Sequence, residues 1–442
     1  MKRTIILFLV LSLVLSGCGQ QQKESGKKKL VLASFGTSPE LENQVAIFNE
    51  GNERYSIEIE QYNRYEEGDG IDRLQKEIVS GRGPDIINFG REYMITDIVG
   101  NYTENLSPYF QKMEEEEDIC FFTNILQAFS YQDNLCVVPV GFTLQTYVGR
   151  SSMVGNGNQW SVEDLIRCYE ENREKKGEGF MLYPGETKKD VLGSLLMGSI
   201  ENYVDWENGT CRFDSEEFCR VLSFAGQFPD TLNLTEDFSA IRSFQNGNAL
   251  LYPMVLNSVF DICRAEIIMG DPVNYIGYPV CDESSNGSII QASEMVLAIS
   301  GASHNKEAAW EFISQLLQTE YQENFCHGFP INKSAFEAQV QKALHTEYED
   351  GPDGVKIPVA KDEVRFEGET GTPIYQIEGS QAQILEQVIG KATISSSYDS
   401  TLHAILLEEA DGYFSGDKTL EQTVAIMQKR AMIYMSEEKK DF

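Results

Sequence analysis

No residue set in this chain of 442 amino acids has the spacing of a catalyst. The sequence contains no GxSxG, no HExxH, no Walker A loop and no EF-hand loop. His304, His327, His345 and His403 stand apart, with no pair at metal-ligand spacing. Gly155-Asn156-Gly157-Asn158-Gln159-Trp160 begins like a dinucleotide turn but lacks the last glycine and a preceding strand. The acidic loop Glu66-Glu67-Gly68-Asp69-Gly70 matches no known calcium spacing and reads as a solvated loop. With 69 acids a carboxylate pair can always be named, and it is informative only at roughly 5–9.5 Å across a cleft. What the chain does offer is rings: 24 Phe, 20 Tyr and 3 Trp. Rings beside carboxylates and amides can hold a solute by stacking and hydrogen bonding, without covalent chemistry. No cofactor and no metal is expected.

The elements that would position such groups follow from periodicity. Lys29 to Phe35 is a short apolar run and reads as a first strand, ending at Gly36-Thr37-Ser38-Pro39. Leu41 to Asn49 reads as a helix with Val45 and Phe48 on one face. Ser56 to Tyr62 alternates at period two, a strand, and Ile71 to Val79 is helical, with Leu74 and Ile78 four apart. Gly81-Arg82-Gly83-Pro84-Asp85 then turns into a buried strand, Ile86 to Phe89. Strand, helix, strand, helix, strand argues for a parallel α/β layer. In such sheets ligands sit beyond the carboxyl ends of the strands. Phe35, Gly36 and Thr37, with Asn88, Phe89 and Arg91, are therefore candidates on one side of a cleft. Further on, Trp160 stands before a capping signature, Ser161 with Asp164, and reads as a staple for that helix.

The amino terminus is a secretory signal. Lys2 and Arg3 precede an apolar run from Ile5 to Leu15, too short for an ordinary spanning helix. Leu15-Ser16-Gly17-Cys18 resembles the bacterial lipobox, in which the cysteine is diacylated and becomes the first mature residue. Two acyl chains anchor stably where one does not. Residues 18–29 read as the lipidated Cys18 and a polar tether. The net charge of −33 grows more negative when Lys2 and Arg3 leave, so nucleic acid is excluded as a partner. Eight cysteines remain, none in CxxC, and their apolar settings read as unpaired thiols.

Ser303 to Phe336 carries the most specific string, SHNKEAAWEFISQLLQTEYQENFCHGFPINKSAF. Asn305 is placed to cap a helix whose stripe is Ala308, Ala309, Phe312, Ile313, Leu316 and Leu317, with Trp310 assigned to the core. Gly328-Phe329-Pro330 ends it, before an exposed-looking Asn332-Lys333. This segment, the GRGPDIINF segment and the YFSGDKTLEQ turn near the carboxyl terminus resemble the extracellular solute-binding proteins, family 1, of bacterial ABC importers.

That resemblance implies an α/β, two-lobed periplasmic-binding-protein-like (type II) fold with three crossing segments and a cleft between the lobes. It divides the chain into a signal peptide at 1–17, the anchored tether at 18–29, lobe one at 30–139 plus 283–331, and lobe two at 140–282 plus 332–442. It implies no enzyme activity. It implies capture of a carbohydrate, an oligosaccharide by family expectation, and delivery to an ABC permease from the outer face of the cell membrane. By position the stacking candidates are Phe35, Phe89, Phe142, Tyr183, Trp206 and Tyr252. The hydrogen-bonding candidates are Asn88, Thr143, Glu186 and Glu294. For each of them packing in the core or at a rim is the alternative. Phe180 to Pro184, Ala249 to Met254 and Tyr275 to Val280 read as strands of lobe two. Ser293 to Ile299 begins the return to lobe one. Monomers are expected. Two other functions share such a body: a receptor for a membrane sensor kinase, and a glycan-cleaving lipoprotein.

Overall fold

A computed structural model describes residues 26–36, 38–62, 70–90, 96–117, 119–131, 134–155, 157, 160–206, 208–232, 238–280, 285–325, 327–366, 370–395 and 400–438. The signal segment, Cys18 and most of the tether lie outside the described residues, as do Thr37, loop residues 63–69, Arg91, Asn156, Asn158, Gln159, Cys281 and Cys326.

In chain order the strands of the two main sheets are β1 (Lys28–Ser34), β2 (Tyr55–Gln61), β3 (Ile86–Asn88), β4 (Val138–Pro139), β5 (Gly141–Arg150), β6 (Leu251–Leu256), β7 (Val273–Tyr275), β8 (Ile289–Ala292), β9 (Val296–Ile299), β10 (Phe329–Pro330) and β11 (Ile394–Ser395). The first sheet has the order β2-β1-β3-β9-β4. Its β1 is parallel to β2 and β3, and β9 runs antiparallel to β3 and β4. The second sheet has the order β6-β5-β8-β11, with β7 and β10 also paired to β5.

Local chemistry explains the opening βαβαβ run. Ser38 caps the helix Pro39–Gly51 by accepting from Leu41 N, and Pro39 sits where a missing N–H costs nothing. Leu41, Val45 and Phe48 bury one stripe of that helix, and Leu74 and Ile78 bury one of Gly70–Val79. Asp85 then ties three segments together. Its carboxylate accepts from Val31 N at 3.0 Å, Ser303 Oγ at 2.6 Å and Asn305 Nδ2 at 2.8 Å. Asn305 does hold the N-cap position of the helix Lys306–Gln315, but its side chain makes no capping bond because Asp85 takes it. The expected stripe of that helix is buried, and half-buried Trp310 packs on Tyr109 and Phe110.

The chain passes between the sheets at three places. Val140 joins β4 to β5 and donates to Met295 O at 2.9 Å. Residues 293–295 join β8 to β9, and Ser293 N donates to Gly141 O at 2.8 Å. β8 pairs with β5, so the second passage lies between Ala292 and Val296 rather than at 283. β10 lies against the start of β5 and leads into Asn332. Asn332 is fully buried, contrary to the sequence expectation, because each of its polar atoms has a partner. Its Nδ2 donates to Leu317 O and Thr319 Oγ1, its Oδ1 caps the helix Lys333–Ala343 through Ala335 N, and its backbone N donates to Gln322 Oε1. Gln322, also fully buried, donates to Val140 O at 2.8 Å and Leu316 O at 2.7 Å. Gly328 beside them has φ of 121°, and a Cβ there would stand 2.5 Å from Phe142 O.

The second sheet separates two cores. Phe142, Leu144 and Val148 face a core continuous with that of the first sheet, whereas Tyr147 belongs to a second core. That second core lies under the helices Val162–Lys176, Lys188–Met197, Glu216–Ala225, Ser400–Phe414 and Leu420–Glu438. Ser161 and Asp164 form the expected capping box, and Trp160 is buried in the same core as Leu165. Phe180 to Pro184 is not a strand: Met181 makes a single bridge to Ala249, and the chain turns at Gly185. Cys120, Cys136, Cys168, Cys211, Cys219 and Cys263 are free thiols. Burial pushes Cys168 and Cys263 up to about 11, so they serve as small apolar residues and not as nucleophiles.

Asp85→Ala strands three donors in a closed interior. It should cost about 3 kcal/mol, read as a lower midpoint in urea unfolding with an unchanged slope.

Candidate functional site

The carboxyl ends of β1 and β3 form one wall of the site. Phe35 N donates to Asn88 O at 3.1 Å, Tyr62 N to Ser34 O at 2.8 Å, and Phe89 N to Val296 O at 2.9 Å, so three strand ends are tied into one edge. Phe35 lies half-buried with its ring stacked on Phe89 at 6.0 Å and 6° between planes. Phe89 is fully buried beneath it. Tyr62 also packs on Phe35, tilted at 48° to it, its hydroxyl donating to Glu77 and its ring covered by the Arg73 guanidinium at 4.1 Å. The ring of Phe35 is thus supported by two neighbouring rings and remains half-buried at the strand ends. Asn88 is not free to bind a solute. It is buried, it donates to Ser34 Oγ at 3.2 Å, and its Oδ1 accepts from Gly90 N at 3.2 Å and Val296 N at 3.1 Å. It is an internal clamp across the strand ends.

The other wall is one face of β5. Side chains alternate along a strand, and residues opposite each other in an antiparallel pair share a face. Thr143, Gln145 and Tyr147 therefore lie on one face, Phe142, Leu144 and Val148 on the other. Thr143 pairs with Gln291 and Gln145 with Val255. Thr143, Gln145 and Gln291 are half-buried and Val255 is exposed, so this face is polar and wet where it leaves the crossing. Glu294 is exposed between Ser293 and Met295, and its carbonyl oxygen would lie 3.6 Å from a Cβ on Gly90. The two walls meet there. Glu294 and Thr143 both stand at the crossing, with Gln145 and Gln291 beside Thr143 on β5 and its partner, and Phe35 lies at the strand ends of the first wall. Gln291 escapes a motif search because only strand pairing puts it beside Thr143, whereas Gln145 follows Thr143 at the strand's period of two.

The remaining predicted residues point elsewhere. Phe142 is fully buried on the opposite face of β5, against Phe122 and Phe329. Tyr252 pairs with Val148, hence shares that same opposite face, and packs on Phe244. Trp206 packs on Tyr434 of the last helix and donates through Nε1 to Glu201 at 3.0 Å. Tyr183 is buried and stacks on Tyr147 at 4.4 Å. Through Tyr147 it continues the β5 face inward, into the second core. Glu186 is buried too, and its carboxylate accepts from Leu182 N at 2.7 Å and from Tyr183 N. Burial pushes its pKa well above the usual carboxylate range, against the two backbone donors. Glu186 therefore shapes the turn at Gly185 instead of meeting a solute.

Comparison with known proteins bears on this architecture. Residues 43–347 match a family model described as bacterial extracellular solute-binding protein. The chain belongs to that family. No curated protein matches it. Among solved structures it is similar to the sugar-binding protein MalE from Xanthomonas citri, with 12% identity, a TM-score of 0.58, and 93% of this chain and 98% of that chain covered. An extracellular solute-binding protein family 1 from Alicyclobacillus acidocaldarius aligns at 13% identity and TM-score 0.56, covering 92% and 98%. A periplasmic oligogalacturonide binding protein from Yersinia enterocolitica aligns at 14% and 0.57, covering 93% and 99%. At these identities the likeness is one of fold: two α/β lobes of the periplasmic-binding-protein type, joined by the three passages described above.

For this solute-binding protein, burial separates the roles of the two stacked rings. Phe89→Ala should cost about 3–5 kcal/mol of stability, as for other buried aromatic truncations. Phe35→Ala should leave stability within about 1 kcal/mol and remove the part of the ligand-induced stabilisation that arises at the crossing. Paired urea melts with and without ligand check both. Glu186 sets a pH dependence. Its folded pKa lies above its unfolded one, so its contribution is full below the usual carboxylate range and is lost as pH rises through the folded value. The stability of Glu186→Gln relative to the parent should therefore rise as pH increases above the usual carboxylate range, measured by denaturant unfolding.

Proposed function

We propose that this protein is a lipid-anchored receptor that captures a carbohydrate between its lobes and hands it to an ABC importer. One observation supports the reading: the first sheet carries a half-buried ring, Phe35, backed by Phe89 at its strand ends, and the second carries a polar strip of Thr143, Gln145 and Gln291, with exposed Glu294, where the chain passes between the two sheets. A ring takes the apolar face of a sugar, and amide, hydroxyl and carboxylate groups take its hydroxyls. The sugar-binding and oligogalacturonide-binding structures of the same fold are consistent with such a ligand. A ligand touching both walls binds the closed arrangement more tightly and so favours it. The lobes divide near Val140, between Ala292 and Val296, and near Asn332. The reaction is transfer without covalent change, with ATP used by the membrane partner. The sequence at Cys18 supports a diacylglyceryl anchor on the outer face of the membrane, and an oligosaccharide is the ligand class tested first.

Thermal unfolding across a panel of mono- and oligosaccharides, peptides and polyamines tests this. A ligand at 100 times its Kd should stabilise the fold by about 2.7 kcal/mol, which is a shift of several degrees. A shift confined to one glycan class supports the reading. A shift with peptides or polyamines alone overturns the carbohydrate part and leaves the receptor part.

A further inference from the structure

A groove of about 590 Å³ lies on the first lobe, between the Glu40, Gln44 and Ile47 side of the helix Pro39–Gly51 and the segment from Gln315 to His327. It shares no residue with the site at the crossing. Its described lining includes amides and acids from both sides and contains no lysine or arginine. Glu40 is held in place at its mouth. Tyr321 Oη donates to Glu40 Oε1 at 3.0 Å, and Gln44 Nε2 donates to the same oxygen at 2.9 Å. Both fixed donors use Oε1, which leaves Oε2 able to accept from a ligand. Ile47, 53% exposed, supplies an apolar wall on the same helix, and the Phe325 ring supplies another across the groove. An oriented carboxylate and amides between two apolar walls match the alternating C–H faces and hydroxyls of a sugar ring.

We propose that this groove is a second binding site, for a neutral polyhydroxylated ligand such as a glycan unit. The proposal rests on the groove's own chemistry and not on the reading of the crossing. A uronate is disfavoured, because its carboxylate would meet Glu40 and Glu320 with no lysine or arginine in the described lining to offset them, His327 being its one imidazole. The site also borders the hinge. A Cβ on Gly141 would fall 2.1 Å from the Phe325 ring, so that ring lies directly on the first passage between the lobes. Gln322, one turn before it, bonds the carbonyl of Val140 in the same passage. A ligand seated against Phe325 therefore reaches the segment that must bend when the lobes close.

Isothermal titration of the full chain in detergent with maltotriose, xylotriose and mannotriose, and with trigalacturonate as the charged comparison, tests the proposal. At least one neutral trisaccharide should bind to Phe35→Ala, in which the crossing site is damaged. Adding Glu40→Gln and Gln44→Ala should weaken that remaining binding at least tenfold, with the unfolding midpoint unchanged. Three results overturn the proposal: no neutral trisaccharide bound by Phe35→Ala, remaining binding indifferent to the Glu40 and Gln44 changes, or trigalacturonate bound there more tightly than the neutral trisaccharides. If instead binding in the parent is lost with the Glu40 and Gln44 changes and indifferent to Phe35→Ala, the groove stands and the crossing reading fails.

Discussion

The constraint on which this structure depends is the need to satisfy backbone polar groups where the chain leaves one sheet and enters another. At such a place the ladder of each sheet stops, and each unpaired N–H or C=O in a dry interior costs about 1–3 kcal/mol. The protein meets the constraint by running the passages side by side. Val140 N bonds Met295 O and Ser293 N bonds Gly141 O, so two passages pair with each other. The third is closed by side chains. Gln322 bonds Val140 O, Leu316 O and Asn332 N, which joins the first and third passages through one amide. Asn332 then closes Leu317 O and caps the next helix. Two buried amides therefore complete the part of the ladder that the backbone cannot.

The same junction decides which residues can meet a solute. β5 begins at the junction, and its alternation sends Phe142 into the core and Thr143 toward the open side. Phe142 belongs to a ring group with Phe122 and Phe329, and Phe329 lies on the third passage. The apolar core of the first sheet thus continues under the crossing into the second lobe on one side only. On the other side the strand carries Thr143 and Gln145, paired with Gln291 and Val255. One side of the crossing is dry and continuous, the other polar and open.

Much of this was legible in the sequence, and the limits have physical causes. The opening strands and helices, the Ser161 and Asp164 cap, and the stripe from Ala308 to Leu317 follow from local periodicity and capping, which depend on neighbours a few residues away. The family strings place the strand ends, and so Phe35, correctly at an edge. Register is not local. Whether Tyr252 or Val255 faces the site depends on their opposing Val148 and Gln145, more than a hundred residues earlier. Asn332 looked exposed because a polar residue after a turn usually is; its partners come from Leu317, Thr319 and Gln322. Asn88 and Glu186 read from the sequence as groups that would bond a ligand, and the hydrogen bonds they make are internal. Their partners are the protein's own backbone, a distinction that spacing cannot carry.

The asymmetry of the crossing also argues for how the lobes can move. Interiors are close-packed, and sliding two packed faces past each other disturbs many contacts at once. The Phe122, Phe142, Phe329 and Phe336 rings fill the dry side and resist such sliding. On the polar side Thr143, Gln145 and Glu294 are half-buried or exposed, and little packing is lost if that side changes its opening. Motion is then easiest as a bend about the dry side that opens or closes the wet side. Gly141 and Gly328 sit at the bend, and each leaves no room for a side chain, against Phe325 and the Phe142 carbonyl respectively. Close backbone packing at these two glycines holds the dry side together.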